Sequence, residues 1–155
     1  MIEQKSTVPK IEALVDAIGL RNGIDVPSSL AYQLRSPLLI KSFAKPGKHI
    51  LDTEGRRVFP SMLSGYKAAV YDMELKVSGK SRAGLKPTDK LRNLLGVYGI
   101  RSSFNDDASV RIAIDNDIKK IVTFLRHALK DQSITANTEL SYFIENTPND
   151  DSSNS

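Results

Sequence analysis

The strongest constraint on this chain is a run of apolar residues at helical spacing that begins after a proline and stops at a glycine. Met62, Leu63, Tyr66, Ala69, Val70, Met73 and Val77 trace one face of a helix that closes at Gly79, while Lys67, Asp72, Glu74 and Lys76 occupy the other faces. Such a helix is stable only when its apolar stripe is covered by other elements, and the same pattern recurs along the chain. Ile11, Leu14, Val15 and Ile18 predict a helix over residues 8–18, with Gly19 just after it. Ser28 or Ser29 caps a short helix through Leu34. Ser36-Pro37 then reads as an N-cap and first helical position for LLIKSFA, with a strand over 38–43 as the alternative.

Further along, Pro87-Thr88-Asp89 restarts a helix carrying Leu91, Leu94, Leu95 and Tyr98 and ending near Gly99. Asn105 to Asp107 cap a longer one with Val110, Ile114, Ile118, Ile121, Val122, Leu125 and Leu129, closed by Lys130, although VRIAI also fits a strand locally. Thr138 caps a last short helix with Leu140, Phe143 and Ile144. Turn signals at Lys45-Pro46-Gly47-Lys48 and Asp52-Thr53-Glu54-Gly55 frame His49-Ile50-Leu51 and Arg57-Val58-Phe59, which together suit one small β-hairpin. The expected fold is therefore mainly α, a helical bundle of five or six helices with at most one hairpin. Residues 1–145 form a single helical domain and 146–155 a disordered acidic tail.

Composition narrows the chemistry. The 155 residues include no cysteine, so neither a disulfide framework nor a thiolate nucleophile or metal ligand is available. The opening MIEQKSTVPKIEALV carries Glu3 and Glu12 and lacks the apolar core of a signal peptide, and no stretch reaches the length of a membrane span. The expectation is a cytoplasmic protein without membrane contact. Only His49 and His127 could act as catalytic imidazoles, and neither stands in a supporting motif; His127, late in a helix, suits the negative end of the dipole. Asp106, Asp107, Asp115 and Asp117 lack the spacing of a calcium loop and read as residues of helix capping and first-turn dipole stabilisation. Gly79-Lys80-Ser81 resembles the end of a phosphate-binding P-loop, but Glu74 stands where the first glycine belongs and a helix precedes it. The reading is of a non-enzymatic chain that needs no cofactor and no metal.

Charge is distributed unevenly. Residues 1–34 have a balance of −1, residues 35–101 of +9 and residues 102–155 of −4. A concentrated positive field attracts polyanions, nucleic acids above all. The cations gather into three sets: Lys41, Lys45 and Lys48; Arg56 and Arg57 with Lys67; and Lys76, Lys80, Arg82, Lys86, Lys90 and Arg92. If the intervening helices pack side by side, these merge into one stripe that follows a nucleic-acid backbone. SGKSRAGLKPTDK reads as a mobile surface loop whose cations and backbone amides grip phosphates without reading sequence. Phe43, Phe59, Tyr66 and Tyr71 are the aromatics among them, and Phe59 and Tyr66 look committed to the core, so base stacking is a minor expectation.

From Ile11 to Ile144, the size, the helix pattern and the basic segment SGKSRAGLK resemble the small subunit of Cascade-type CRISPR effector complexes, nearest to that of type I-D. The resemblance implies a subunit that stacks with copies of itself and with larger subunits. It would guide a target or displaced DNA strand through phosphate contacts, with DNA or RNA as the nucleic-acid partner. The basic residues named above are the positions to which that role carries over. The alternative is a helical protein-interaction module whose lysines only keep it soluble.

Overall fold

The structure is a computed structural model and describes residues 8–41, 50–52 and 54–144. It is mainly α, with six helices and one two-stranded antiparallel hairpin among these residues: α1 Val8–Arg21, α2 Leu30–Leu34, β1 Ile50–Leu51, β2 Arg57–Val58, α3 Met62–Val77, α4 Leu91–Val97, α5 Ala108–Ala128 and α6 Ser141–Ile144. Lys45-Pro46-Gly47-Lys48, His49 and the tail 146–155 lie outside the described residues. The chain divides into two compact units, one of Met1–Ala13 with Glu74–Ser155, the other of Leu14–Met73. None of the helices is long and apolar enough to cross a membrane among the described residues.

In the unit 14–73 the core is built by Leu14, Val15, Ala17, Ile18, Ala31, Leu34, Leu38, Ile40, Phe59, Ala68, Ala69 and Met73. The first helix runs past Gly19, contrary to the stop expected there. The Gly19 Cα comes close enough to Pro37 that an added Cβ would stand 3.0 Å from the proline Cβ, so this glycine permits an approach and does not end the helix. The end comes at Gly23, with φ +85, where the Gly23 amide bonds to the Leu20 carbonyl and the Ile24 amide to that of Gly19. Ser29 caps α2 as expected, accepting from the Tyr32 amide at 3.0 Å.

The segment after Ser36-Pro37 forms neither the helix nor the strand expected of it over residues 38–41. Its backbone is committed elsewhere: the Ile40 carbonyl accepts from the Arg57 amide at 2.8 Å and the Leu34 carbonyl from the Phe59 amide at 3.0 Å. Leu39 takes φ +55, and the buried Ser36 hydroxyl accepts from the Ile40 amide at 3.2 Å. This segment thus holds β2, which pairs with β1 in the register Ile50 to Val58 and Leu51 to Arg57. Arg35 adds a bond from its Nη1 to the Phe59 carbonyl at 3.2 Å.

The start of α3 is stapled by two serines, the Ser64 amide donating to the Ser61 hydroxyl at 3.1 Å and the Ser61 amide to the Ser64 hydroxyl at 3.2 Å. Its expected apolar face holds from Ala69 onward, through Met73 and Val77, but Met62 and Leu63 are exposed.

In the other unit the buried residues are Ile11, Ala13, Val77, Leu85, Leu91, Leu94, Leu95, Ile100, Ile121, Val122, Leu125, Ile134, Leu140 and Phe143. Segment 87–92 is laced to segment 136–141. The Leu91 amide donates to the Thr138 carbonyl, Arg92 to Ala136, Leu140 to Asp89 and Ser141 to Pro87, all between 2.8 and 2.9 Å. Thr138 is therefore part of this lacing and is not the cap of α6; its hydroxyl accepts from the Thr135 amide at 2.9 Å. Helix α4 begins at Leu91, later than Pro87-Thr88-Asp89 suggested, because Asp89 turns the chain by accepting from the Lys86 amide at 2.8 Å.

Asp107 caps α5, accepting from the Val110 amide at 3.0 Å, and VRIAI is helical. Only the later part of the α5 stripe is buried, at Ile121, Val122 and Leu125. Its first turns stand in solvent, with Val110 41% and Ile112 60% exposed.

Candidate nucleic-acid interface

The segment from Lys80 to Arg101 carries Lys80, Arg82, Lys86, Lys90, Arg92 and Arg101 against a single carboxylate, Asp89. All six cations are exposed. Lys80, Arg82, Lys86 and Lys90 have no carboxylate within ion-pair distance among the described residues. Asp89 is already engaged by the Lys86 amide and Glu139 stands across a backbone bridge from Lys90, which leaves the segment with a net positive charge. Arg92 is oriented by a bond from its Nε to the Asn137 carboxamide oxygen at 2.8 Å, which leaves its charge uncancelled.

The fold holds these cations at defined places. Leu85 is buried in the middle of the basic loop, which is pinned at that point. At the loop's start, Gly79 has φ +79, and the Lys80 amide bonds back to the Leu75 carbonyl at 2.8 Å. The Ala83 amide donates to the Ser81 hydroxyl and the Lys86 amide to Asp89. The expectation that backbone amides of this loop grip phosphates is thus corrected for these three, whose donors are committed; side chains are what the loop offers.

Lys76, expected in the same set, is half-buried and lies with its Nζ 4.8 Å above the Tyr98 ring. That contact sets the end of α3 beside the end of α4, from which the chain passes through Gly99 and the buried Ile100 to Arg101.

Among the sequence-named cations of the unit 14–73, Lys41 and Lys67 are exposed. Lys45 and Lys48 lie outside the described residues. Arg56 is half-buried and paired with Asp52 at 3.2 Å. Although burial works against it, amide bonds from Arg56 and Glu54 and the Arg56 guanidinium hold the Asp52 carboxyl below its ordinary value. Arg57 lies with its guanidinium carbon 4.6 Å over the Phe59 ring, and burial pushes its pKa below the usual arginine value. With Lys67 it lines a cavity of about 330 Å³ whose other walls are Phe59, Pro60, Ser64, Ala68 and Tyr71.

Sequence reasoning missed Phe104. It stands 93% exposed in the loop between α4 and α5, near the Arg111 guanidinium, which donates to its carbonyl at 2.7 Å. The signal was present in Arg101-Ser102-Ser103-Phe104-Asn105-Asp106, an aromatic residue in a polar loop with no apolar neighbour to share a core. Asp107 caps α5 as expected, accepting from the Val110 amide, whereas Asp106 accepts from the Ser103 amide within the preceding loop and Asp115 and Asp117 stand in the interior of α5, so these three are not caps. Hydrogen bonds from the Val110 amide and the Ser109 hydroxyl hold Asp107 below the ordinary carboxylate value. No cluster of three His, Asp or Glu residues among the described residues is placed to hold a metal ion. No protein-family model, curated protein or solved structure matches this chain.

Proposed function

We propose that this chain is a non-enzymatic nucleic-acid-binding subunit of a larger assembly, of the kind that the small subunits of Cascade-type CRISPR effector complexes represent. Its contacts are to phosphates of a target or displaced strand. The observation that carries this reading is the segment 80–101, six exposed cations held by a hydrogen-bonded scaffold with one carboxylate among them. Cations in that arrangement release the counterions of a polyanion when they dock on it, which makes affinity steep in salt and indifferent to sequence. Assembly with other subunits or with copies of itself is supported by the first turns of α5 and the loop before it, where Phe104, Val110 and Ile112 are exposed.

The same exposed apolar residues favour a second reading, a protein-interaction module without nucleic-acid binding. Binding of the purified protein to labelled single- and double-stranded DNA and RNA over a salt series separates the two. Affinity that falls steeply with salt supports the subunit reading. No binding even at low salt eliminates it and leaves the interaction module.

A further inference from the structure

The cavity between the hairpin and α3 combines features that a backbone-binding surface does not require. Its floor is apolar, from Phe59, Pro60 and Ala68, while Arg57 and Lys67 bring two positive charges and Ser64 and Tyr71 bring hydroxyl groups. At about 330 Å³ it lies at the lower end of the range that holds a small ligand, roughly 300–1,000 Å³. A helix or a paired duplex is too large to enter. Arg57 lines the space with its guanidinium carbon over the Phe59 ring and its Nε and Nη1 buried, so a positive charge seated on an aromatic ring borders the cavity. Nucleobases unstacked from a single strand pack on aromatic rings, and Tyr71, 39% exposed, supplies one at the same cavity.

We infer that this cavity receives one unstacked nucleotide of a single strand, its base against Tyr71 and its phosphate facing the positive charges of Lys67 and Arg57. The inference rests on the nucleic-acid reading above and narrows it: the ligand is single-stranded, and one base leaves the stack at the hairpin. In a duplex the same base is held by its pair, so the cavity stays unused and only phosphate contacts remain.

The test compares an oligothymidylate of about 15 nucleotides, within the span a single-strand-binding domain covers, with a duplex of the same length. Ala68→Leu fills the cavity without changing charge, and Tyr71→Ala removes a wall at an exposed position should the leucine disturb folding. Each variant is expected to bind the single strand about tenfold more weakly, the effect of losing one stacked base, and the duplex as wild type does. Thymidine monophosphate is expected to displace the single strand where inorganic phosphate at equal concentration does not. Wild-type single-strand affinity in both variants would overturn the inference, and so would equal competition by the two anions. If in that case neutralising Lys80, Arg82 and Lys86 still weakens binding, the backbone reading stands without the cavity. Absence of binding to either oligonucleotide by the wild-type protein would overturn both.

Discussion

Replacing Lys80, Arg82 and Lys86 together by glutamine removes three exposed charges that have no carboxylate partner among the described residues and leaves the buried Leu85 between them in place. Each phosphate neutralised on a single strand contributes about 0.7 to the slope of log affinity against log salt, so losing three contacts flattens the slope by about 2. Between roughly 50 and 200 mM salt, a fourfold change, wild type should therefore lose about 16-fold more affinity than the variant. Fluorescence anisotropy with a labelled single strand at four or more salt concentrations reads both slopes directly. Because the three side chains are exposed, the melting temperature should stay within about 2 °C of wild type. An unchanged slope with intact folding would refute the assignment of this loop to phosphate contact. A weakened but parallel line would mean that the lost contacts are not ionic.

Phe104→Ala should leave thermal stability unchanged, since the ring is 93% exposed, while weakening either strand binding or self-association; no change in gel-filtration volume or in affinity would remove this residue from both roles. Leu95→Ala, at a fully buried position of α4, should cost about 2–5 kcal/mol in urea unfolding, and a cost well below 1 kcal/mol would show that the site relaxes around the cavity. Gly65→Ala would place a methyl group on the Arg35 carbonyl oxygen; overpacking of this kind costs about 1–3 kcal/mol, read from the shift of the urea midpoint. The Ser133 hydroxyl and amide and the Tyr142 hydroxyl hold the Asp131 carboxyl below its ordinary value, so this group stabilises the fold above the usual carboxylate pKa of about 4 and loses that effect as pH falls through its folded value. Melting temperatures across an acid series should accordingly fall less for Asp131→Asn than for wild type, and parallel curves would contradict the assignment.

Much of the helical organisation was readable from local chemistry. Ser29, Asp107, Gly79 and Gly99 mark helix ends because a side-chain oxygen or a positive φ satisfies the orphan backbone groups there, and these are properties of one residue and its immediate neighbours. The hairpin was readable for the same reason, since Asp52 gathers the Glu54 and Arg56 amides at 3.0 and 2.7 Å within its own turn. The number of cations between residues 80 and 101 was also plain from the chain alone.

What the chain could not disclose locally was decided by partners distant in sequence. Gly19 carried the mark of a helix stop, yet the approach of Pro37 uses its missing side chain, and the helix continues to Arg21 before the turn at Gly23. Ser36-Pro37 carried the mark of a helix start, but the Ile40 carbonyl is taken by Arg57 of β2 and the Leu34 carbonyl by Phe59 just after it. The α5 stripe keeps one period throughout, and only the packing of the unit determines that Ile121, Val122 and Leu125 are covered while Val110 is not. Charge is fixed by residue type, whereas its availability depends on neighbours: Lys76 lies on Tyr98 and the Lys80 amide on Leu75, while the Lys80 side chain remains exposed. Sequence alone thus determined the helices and the positive segment, because periodicity and charge are local, and tertiary structure decided which faces and which cations are open to a partner, because burial belongs to what packs against a residue.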